Sequence, residues 1–348
     1  MTEIKVNLKS AVNNSYKIII ENGITQEIPK HLKKMKLGNK YAIITDSKVG
    51  KLYGFSFARF LKNNDIECEL FSFPEGEKSK NLKTIENLAS QMIEKGFDRK
   101  DAIIALGGGV AGDAAGFLSG IYMRGIPCIQ IPTTLLSMVD SSIGGKTGVD
   151  LITGKNLIGV FNQPKIVFID THYLKTLPKT QIINGLAEII KYGVIKDSKL
   201  FTLIEKNLSK ILSLEPKIMN KIIEQSVTIK ATIVEKDEKE NGERMLLNYG
   251  HTYGHVIEKL SGYKLLHGYA ISIGMVLANR IAVEKKILDQ KSADKIRNLL
   301  AKFELPIATM KIPTLKELGS DKKKHGDKIN FIFPTKIGKA VIHKEKCL

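Results

Sequence analysis

Long apolar runs and paired cysteines are absent from this 348-residue sequence. No stretch approaches the roughly 20 apolar residues that a membrane-spanning helix requires. The three cysteines, Cys68, Cys128 and Cys347, are odd in number and never form a C-x-x-C pair, which argues against a disulfide framework or a thiolate metal site. The opening MTEIKVNLKS has no apolar h-region, so we expect a cytoplasmic protein without a membrane segment.

Acidic residues are also scarce, since 36 of them stand against 54 lysines and arginines and leave a formal net charge of +18. A charge of this size first suggests nucleic-acid binding. However, the sequence has no basic low-complexity tail, no basic helix and no regularly interleaved aromatic residues. We therefore expect no nucleic-acid partner, and consider instead a cleft in which a few lysines and arginines bind a small, multiply charged anion.

The first half of the sequence alternates β-rich runs with amphipathic segments. The β-rich runs are IKVNL, YKIII, YAIITD, CELFSF, DAIIALGGG, PCIQIP and KIVFID. This rhythm is typical of a mostly parallel sheet covered by helices. From about Thr180, long helical patterns dominate until INFIFP near the end. We therefore predict an α/β domain over residues 1–178 and a mainly helical domain over residues 179–348.

The segment DAIIALGGGVAGD runs from an apolar strand through three consecutive glycines into a helix. Gly107, Gly109 and Gly112 satisfy the pattern G-x-G-x-x-G, in which backbone N–H groups and the helix dipole hold a pyrophosphate. The alternative is a glycine-rich turn without a ligand. No acidic residue ends the next strand, where a ribose-binding carboxylate belongs. If a dinucleotide binds, we expect Thr133 and Thr134 to contact its adenosine half instead.

The segment LLNYGHTYGHVIE places His251 and His255 four positions apart at the start of a predicted helix. That spacing puts both rings on one helix face, as zinc-binding helices require. The residues alone leave three interpretations open: two metal ligands, one ligand and one proton carrier, or a packed and hydrogen-bonded pair.

Several long blocks resemble the 3-dehydroquinate synthase family, in the family's order and over almost the whole chain. They are YMRGIPCIQIPTTLLSMVDSSIGGKTGVDL, KNLIGVFNQPKIVFID, LKTLP, GLAEIIKYG, KATIVEKDEKENGERMLLNYGHTYGHVIE and HGYAISIGM. The resemblance implies an N-terminal NAD-binding α/β domain and an all-helical, metal-binding C-terminal domain, a fold similar to that of glycerol dehydrogenases and iron-dependent alcohol dehydrogenases. It also implies NAD and either Zn²⁺ or Co²⁺ as cofactors, and a homodimer.

The resemblance also implies roles for particular residues. The implied metal ligands are Glu188, His251 and His267, and His255 is the implied catalytic histidine. The implied substrate-binding residues are Arg124, Lys146, Asn156, Lys191, Lys230, Arg244, Asn248 and His255, with either Lys322 or Lys323; Lys146, Arg244 and Asn248 are also implied in catalysis. The implied cofactor-binding residues are Asp46, Glu75, Gly76, Glu77, Lys78, Ser79, Lys80, Gly109, Val110, Ala111, Gly112, Asp113, Thr133, Thr134, Asp140, Lys146, Lys155, Tyr173, Leu174, Lys175 and Thr176. Without the resemblance, the charged residues among them would be read as ordinary solvated surface charges.

The reaction implied by the resemblance is the conversion of 3-deoxy-D-arabino-heptulosonate 7-phosphate to 3-dehydroquinate and phosphate, a lyase step of the shikimate pathway. NAD takes a hydride from the C5 hydroxyl and returns it after phosphate elimination, and ring opening and an intramolecular aldol closure follow. A related sugar phosphate cyclase, such as 2-deoxy-scyllo-inosose synthase or an aminodehydroquinate synthase, is an alternative. Arg244 and Asn248 argue against the inosose branch, whose substrate lacks the carboxylate. A basic nucleic-acid-binding module is the alternative from another class.

Three departures from the family pattern concern the surroundings of the implied site. Tyr269 replaces an acid, Met138 replaces a glutamine, and PKTQ stands where P-x-R-E is usual. Because none removes an implied ligand or His255, we expect them to affect the rate and not the type of reaction.

Overall fold

The computed structural model describes residues 13–309, 313–314, 317, 324–325 and 328–346. The run IKVNL, predicted as a strand, lies outside the described residues, as do Lys322, Lys323 and Cys347. Cys68 and Cys128 are buried and free.

The N-terminal half alternates strands and helices as its sequence predicts. Its elements are β1 (Lys17–Ile20), α1 (Ile28–Met35), β2 (Tyr41–Asp46), α2 (Ser47–Val49), α3 (Phe55–Lys62), β3 (Cys68–Phe73), α4 (Leu82–Glu94), β4 (Ala102–Gly107), α5 (Gly109–Ile121), β5 (Cys128–Pro132), β6 (Lys146–Leu151), β7 (Gly154–Phe161) and β8 (Ile166–Ile169). Six strands form one sheet in the order β1-β8-β5-β4-β2-β3, and all neighbouring pairs are parallel. The predicted parallel α/β sheet is confirmed.

This sheet is covered on both faces, which explains why its strands read as continuous apolar runs. All six residues of β4 are buried. Neighbouring residues of a strand point to opposite faces, so Ile103 joins the core cluster that includes α4 and α5, whereas Ile104 joins the cluster that includes the C-terminal helices. The sheet therefore separates two apolar cores.

An antiparallel ribbon of β6 and β7 was not predicted as strands. Gly148 and Gly159 lie opposite each other in the ribbon, and a Cβ on either would overlap the backbone of the facing strand. The missing side chains leave little apolar alternation to recognise in the sequence. The ribbon matters for the site because it supplies Lys146, Lys155 and Asn156 to the main cleft.

The second half is mainly helical, as predicted. Its elements are α6 (Lys179–Ile195), α7 (Ser198–Lys206), α8 (Leu208–Leu212), α9 (Pro216–Lys236), α10 (His251–Leu260), α11 (His267–Glu284), α12 (Gln290–Lys302), β9 (Lys324–His325), β10 (Lys328–Lys336) and β11 (Lys339–Lys346). The predicted INFIFP strand is part of β10, which pairs antiparallel with β9 and β11. The domain boundary after residue 178 stays a prediction. Among the described residues, no helix has both the length and the apolar character needed to cross a bilayer.

Close backbone packing brings the start of α11 against α6 at Asn184, and the middle of α11 against the residue before α10. A Cβ on Gly268 would overlap the main-chain carbonyl oxygen of Asn184 on α6, and a Cβ on Gly274 would overlap that of Gly250, the residue before α10. Only glycine allows backbones to approach so closely. As a result, the first residues of α10 and α11 lie beside a buried segment of α6.

Candidate active site and metal centre

A cleft of about 1630 Å³ is lined by residues of both halves of the chain. Most of the implied site residues lie along it: Asp46, Glu75, Gly76, Glu77, Lys80, Gly109, Val110, Asp113, Thr133, Thr134, Asp140, Lys146, Lys155, Asn156, Tyr173, Thr176, Lys230, Arg244, Asn248, His255 and His267. The remaining described ones do not line it: Lys78, Ser79, Ala111, Gly112, Arg124, Leu174, Lys175, Glu188, Lys191 and His251. Among these, Glu188, Lys191 and His251 are buried and directly adjoin the lining residue His267 or one another, whereas Arg124 is exposed.

Three side chains from three helices form a compact cluster of potential metal ligands. Glu188 of α6, His251 of α10 and His267 of α11 place one ligand atom each within 4.8 Å of the others. Both imidazole Nε2 atoms lie 3.3 Å from Oε1 of Glu188. Sequence spacing relates none of these helices to another, so the cluster depends on the helix packing described above.

The protonation of His251 follows from its neighbours. Its Nδ1 lies 3.1 Å from the carbonyl oxygen of Tyr249, which can only accept, so we place the hydrogen on Nδ1. Burial and the charge of Lys191 lower the pKa of His251 to about 3, so the ring is neutral near pH 7. Its Nε2 lone pair therefore points toward Glu188, as a metal ligand requires.

His267 lies between two carboxylates. Its Nδ1 is 3.2 Å from Glu258 Oε2, and its Nε2 is 3.3 Å from Glu188 Oε1. Burial lowers the pKa of His267, but the hydrogen bonds to the two glutamates outweigh it and raise that pKa to about 10. A divalent cation bound at Nε2 would take the place of the proton there.

His255 lies close to the cluster on the same face of α10. Its ring centroid is 5.4 Å from that of His251 and 6.2 Å from that of His267. His255, Glu258 and His267 form a second group whose ligand atoms lie within 4.8 Å of one another. The geometry is compatible with a proton carrier beside the metal and with a ligand, so the role of His255 as a carrier stays a prediction.

Buried cations surround Asp140 next to this cluster. Lys230 donates from Nζ to Asp140 Oδ1 at 2.6 Å, and the hydroxyl of Tyr192 donates to the same oxygen at 2.8 Å. Burial raises the pKa of Asp140, but Lys230 outweighs it and lowers that pKa to about 2. Arg244 donates to the carbonyl oxygens of Gly144 and Glu238, which fixes its guanidinium at the cleft. These fixed positive groups suit the binding of an anion.

Glu240 is a site residue that the sequence did not single out. Its carboxylate accepts from Asn248 Nδ2 at 2.6 Å and pairs with Lys146 Nζ. The segment ENGERMLLN could have indicated this residue, because an acid stands there four residues before Arg244. Burial and the charges of Arg244 and Lys230 lower the pKa of Lys146 to about 8, so Lys146 belongs electrostatically to the same cationic group.

The glycine loop, residues 107–113, forms another part of the cleft. It joins β4 to α5 as predicted. A Cβ on Gly109 would lie 3.2 Å from the Ser141 hydroxyl, which is buried and has no hydrogen-bond partner among the described residues. Lys80 donates to Asp113 and to Asn156, at 2.5 Å each. The bare backbone and the unpaired hydroxyl are therefore suited to a polar ligand at the start of α5.

Family models cover most of the chain with this site. The model for the N-terminal part of 3-dehydroquinate synthase matches residues 70–184, and the model for the C-terminal part matches residues 185–325. The chain belongs to the 3-dehydroquinate synthase family. A 3-dehydroquinate synthase of Prochlorococcus marinus (strain MIT 9312) is 47% identical over 341 residues, which cover 96% of this chain and 94% of that relative. The chain is therefore an enzyme of this family.

Two solved structures of similar fold contain bound NAD⁺ and a metal ion. One is 2-epi-5-epi-valiolone synthase from Streptomyces hygroscopicus subsp. jinggangensis 5008 with NAD⁺ and Zn²⁺ bound, with a TM-score of 0.89 and 28% identity over 98% of this chain and 95% of that one. The other is 2-deoxy-scyllo-inosose synthase complexed with carbaglucose-6-phosphate, NAD⁺ and Co²⁺, with a TM-score of 0.85 and 28% identity over 95% of this chain and 92% of that one.

Proposed function

We propose that this 3-dehydroquinate synthase family enzyme converts 3-deoxy-D-arabino-heptulosonate 7-phosphate to 3-dehydroquinate and phosphate. The observation that carries the proposal is one cleft that is lined by His267 of the Glu188–His251–His267 cluster, by a group of fixed cations and by the glycine loop. Asp140 lines the same cleft and pairs with Lys230, whose Nζ lies 2.6 Å from Asp140 Oδ1.

The residues of the cleft fit both cofactors of the family. One carboxylate and two imidazoles suit Zn²⁺ or Co²⁺ and leave coordination positions for a substrate. The helix start at Gly109 and the Ser141 hydroxyl suit the phosphates and polar groups of NAD. When bound, the metal polarises the substrate's hydroxyl and carbonyl oxygens, and NAD accepts and returns a hydride.

The chain's own residues then have separate tasks. Lys146, Lys230 and Arg244 hold the phosphate and carboxylate of the substrate by charge and hydrogen bonds. His255, within reach of the metal cluster, exchanges protons with the substrate near neutral pH. Asn248 is oriented by its hydrogen bond to Glu240, so that its remaining amide atoms can contact a hydroxyl group.

A phosphate-release assay tests this function. We expect release from the heptulosonate phosphate, loss of release after chelation, and many turnovers per NAD without net NADH formation. Glucose 6-phosphate, which has no carboxylate, should release no phosphate. Release from glucose 6-phosphate alone would point to a different sugar phosphate cyclase, and NADH build-up in proportion to product would point to a polyol dehydrogenase.

We also propose that the enzyme is a homodimer in the cytoplasm. Support for the dimer comes from apolar side chains that face solvent on the ribbon and at the end of α5, including Ile121, Ile152 and Phe161. Support for a reducing compartment comes from the two free, buried thiols. Light scattering on the purified chain and cell fractionation test the two statements.

A further inference from the structure

We propose that Glu258 is a positioning residue of the metal centre, because its carboxylate fixes the His267 ring with Nε2 toward Glu188 and His251. The inference rests on the proposed function in one respect, which is that the Glu188–His251–His267 cluster binds the metal. Glu258 is absent from the sets of site residues that the sequence implied. It stands on α10 at positions +7 and +3 from His251 and His255, so all three share one helix face.

The hydrogen bond from His267 to Glu258 holds a hydrogen on Nδ1, the ring nitrogen that faces away from Glu188. Oε2 of Glu258 lies 3.2 Å from His267 Nδ1. Nε2 lies 3.3 Å from Oε1 of Glu188. A carboxylate only accepts, so both ring nitrogens face acceptors. Because Nε2 points to the Glu188–His251–His267 cluster, a cation there would displace the proton on Nε2, while Glu258 keeps the hydrogen on Nδ1. The same contact also limits rotation of the ring, which lies at the first residue of α11.

The two oxygens of Glu258 have different partners. Oε1 lies 3.3 Å from Lys155 Nζ on the ribbon, while Oε2 faces His267. Such pairing is needed because Glu258 is only 4% exposed, and an unpaired buried carboxylate is costly. Lys155 also lies 3.7 Å from Glu77 Oε1, in a segment implied in cofactor binding. Glu258 therefore links the metal side of the cleft to the cofactor side.

A competing interpretation makes Glu258 a ligand in a second donor set with His255 and His267. In that arrangement Nδ1 of His267, and not Nε2, would bind the ion. The structure favours positioning for two reasons. The cation of Lys155 already lies against Glu258, and two imidazole Nε2 atoms already converge on one oxygen of the fully buried Glu188.

The test measures metal affinity and stoichiometry, with the full chain stripped by a chelator and titrated with Zn²⁺ against a chromophoric chelator. Glu258→Gln keeps the size of the side chain but weakens the acceptor. We expect one Zn²⁺ per chain with an affinity about 10–100-fold weaker than wild type. The visible spectrum of the Co²⁺ form should also shift, which a purely structural role of Glu258 would not cause.

A second variant and a control separate positioning from misfolding. Glu258→Gln combined with Lys155→Met removes both charges of this ion pair, so that the Lys155 cation no longer lies against a neutral amide, and we expect the same weakening of metal affinity. Glu304→Gln removes a carboxylate from an ion pair with Lys179 outside the cleft and should bind metal as wild type does. Thermal midpoints of the metal-free forms show whether each variant folds. If Glu258→Gln alone does not fold, the metal affinity of the double variant tests the inference.

Three outcomes would overturn the inference. Wild-type affinity with an unchanged Co²⁺ spectrum in the folded Glu258 variants would remove Glu258 from the metal centre. Loss of stoichiometric metal from folded Glu258→Gln and from His255→Ala would make both residues ligands of the second donor set. A wild-type chain that binds no metal would overturn the proposed metal centre and the inference together. The first outcome leaves the proposed function intact, and the second changes the ligand set and the role of His255 but not the proposed substrate.

Discussion

Two glycine-rich segments of this chain use the same residue for opposite purposes. In the glycine loop (residues 107–113), a Cβ on Gly109 would meet only the side chain of Ser141, at the edge of the cleft. In the histidine segment (residues 249–255), a Cβ on Gly254 would lie 3.0 Å from the Cα of Ile271 on α11. The first glycine leaves space for a ligand, and the second leaves space for another helix.

This difference determines how each segment should respond to substitution. Side chains that face a cleft can move when a methyl group is added, so the effect should be confined to ligand binding. The backbone of a packed helix cannot move without carrying its other residues. We therefore expect changes in the histidine segment and its packing partners to disturb the metal cluster, and changes in the glycine loop to leave that cluster unchanged.

Removal of a ligand should have the largest effect. We expect Glu188→Ala, His251→Ala and His267→Ala each to lose bound metal and phosphate release together, because two remaining ligands hold the ion too weakly. Zinc per chain and phosphate release measure this. His343→Ala, which changes a histidine on β11, is the matched control and should keep its metal. Stoichiometric zinc in one of the three variants would exclude that residue as a ligand.

The other histidine of the segment should behave differently. We expect His255→Ala to keep its zinc and its thermal midpoint while turnover falls by about 10²–10⁴-fold, since a general acid/base contributes about that factor. Zinc content, thermal midpoint and phosphate release should be measured beside His251→Ala. A metal-free His255→Ala would show that this histidine is a ligand, and destabilisation of both variants with unchanged metal content would show a merely packed pair.

Gly274 of α11 lies outside the site and tests whether close helix packing holds the metal cluster in place. Alanine favours a helix over glycine by about 1 kcal/mol, so Gly274→Ala within α11 would stabilise an isolated helix. Here its Cβ would overlap the carbonyl oxygen of Gly250, directly before His251. We expect a net loss of about 1–3 kcal/mol in the free energy of unfolding, together with weaker zinc binding. Denaturant unfolding and zinc titration measure both, and an unchanged zinc affinity would separate the packing from the metal cluster.

The smallest effect is expected in the glycine loop. Gly109→Ala should weaken NAD binding about tenfold, or by about 1.4 kcal/mol, because a methyl group would enter the space beside the Ser141 hydroxyl. Zinc affinity and thermal midpoint should stay at wild-type values. Calorimetric titration with NAD is the measurement, since the chain has no tryptophan to report by fluorescence. Loss of zinc from this variant would contradict the comparison.

Much of the fold follows from local patterns. The apolar runs of the parallel sheet are recognisable because strands buried on both faces carry apolar residues at every position, as β4 does. The ribbon is harder to predict because Gly148 and Gly159 replace the apolar alternation with close backbone contact. Gly268 and Gly274 mark a close helix crossing, but a lone glycine in a helical pattern does not tell which helix it meets.

The spacing of His251 and His255 determined that both rings lie on one face of α10, and the structure agrees. Family resemblance, not spacing, separated their implied roles, because a helix repeat specifies a face and not what that face meets. Only the tertiary structure brought Glu188, 79 residues away from His267 in sequence, within 3.3 Å of its Nε2. It also placed Glu258 on the opposite nitrogen of the same ring. Such contacts depend on how three helices pack, and the packing depends on side-chain volumes at positions distant in sequence from the ligands themselves.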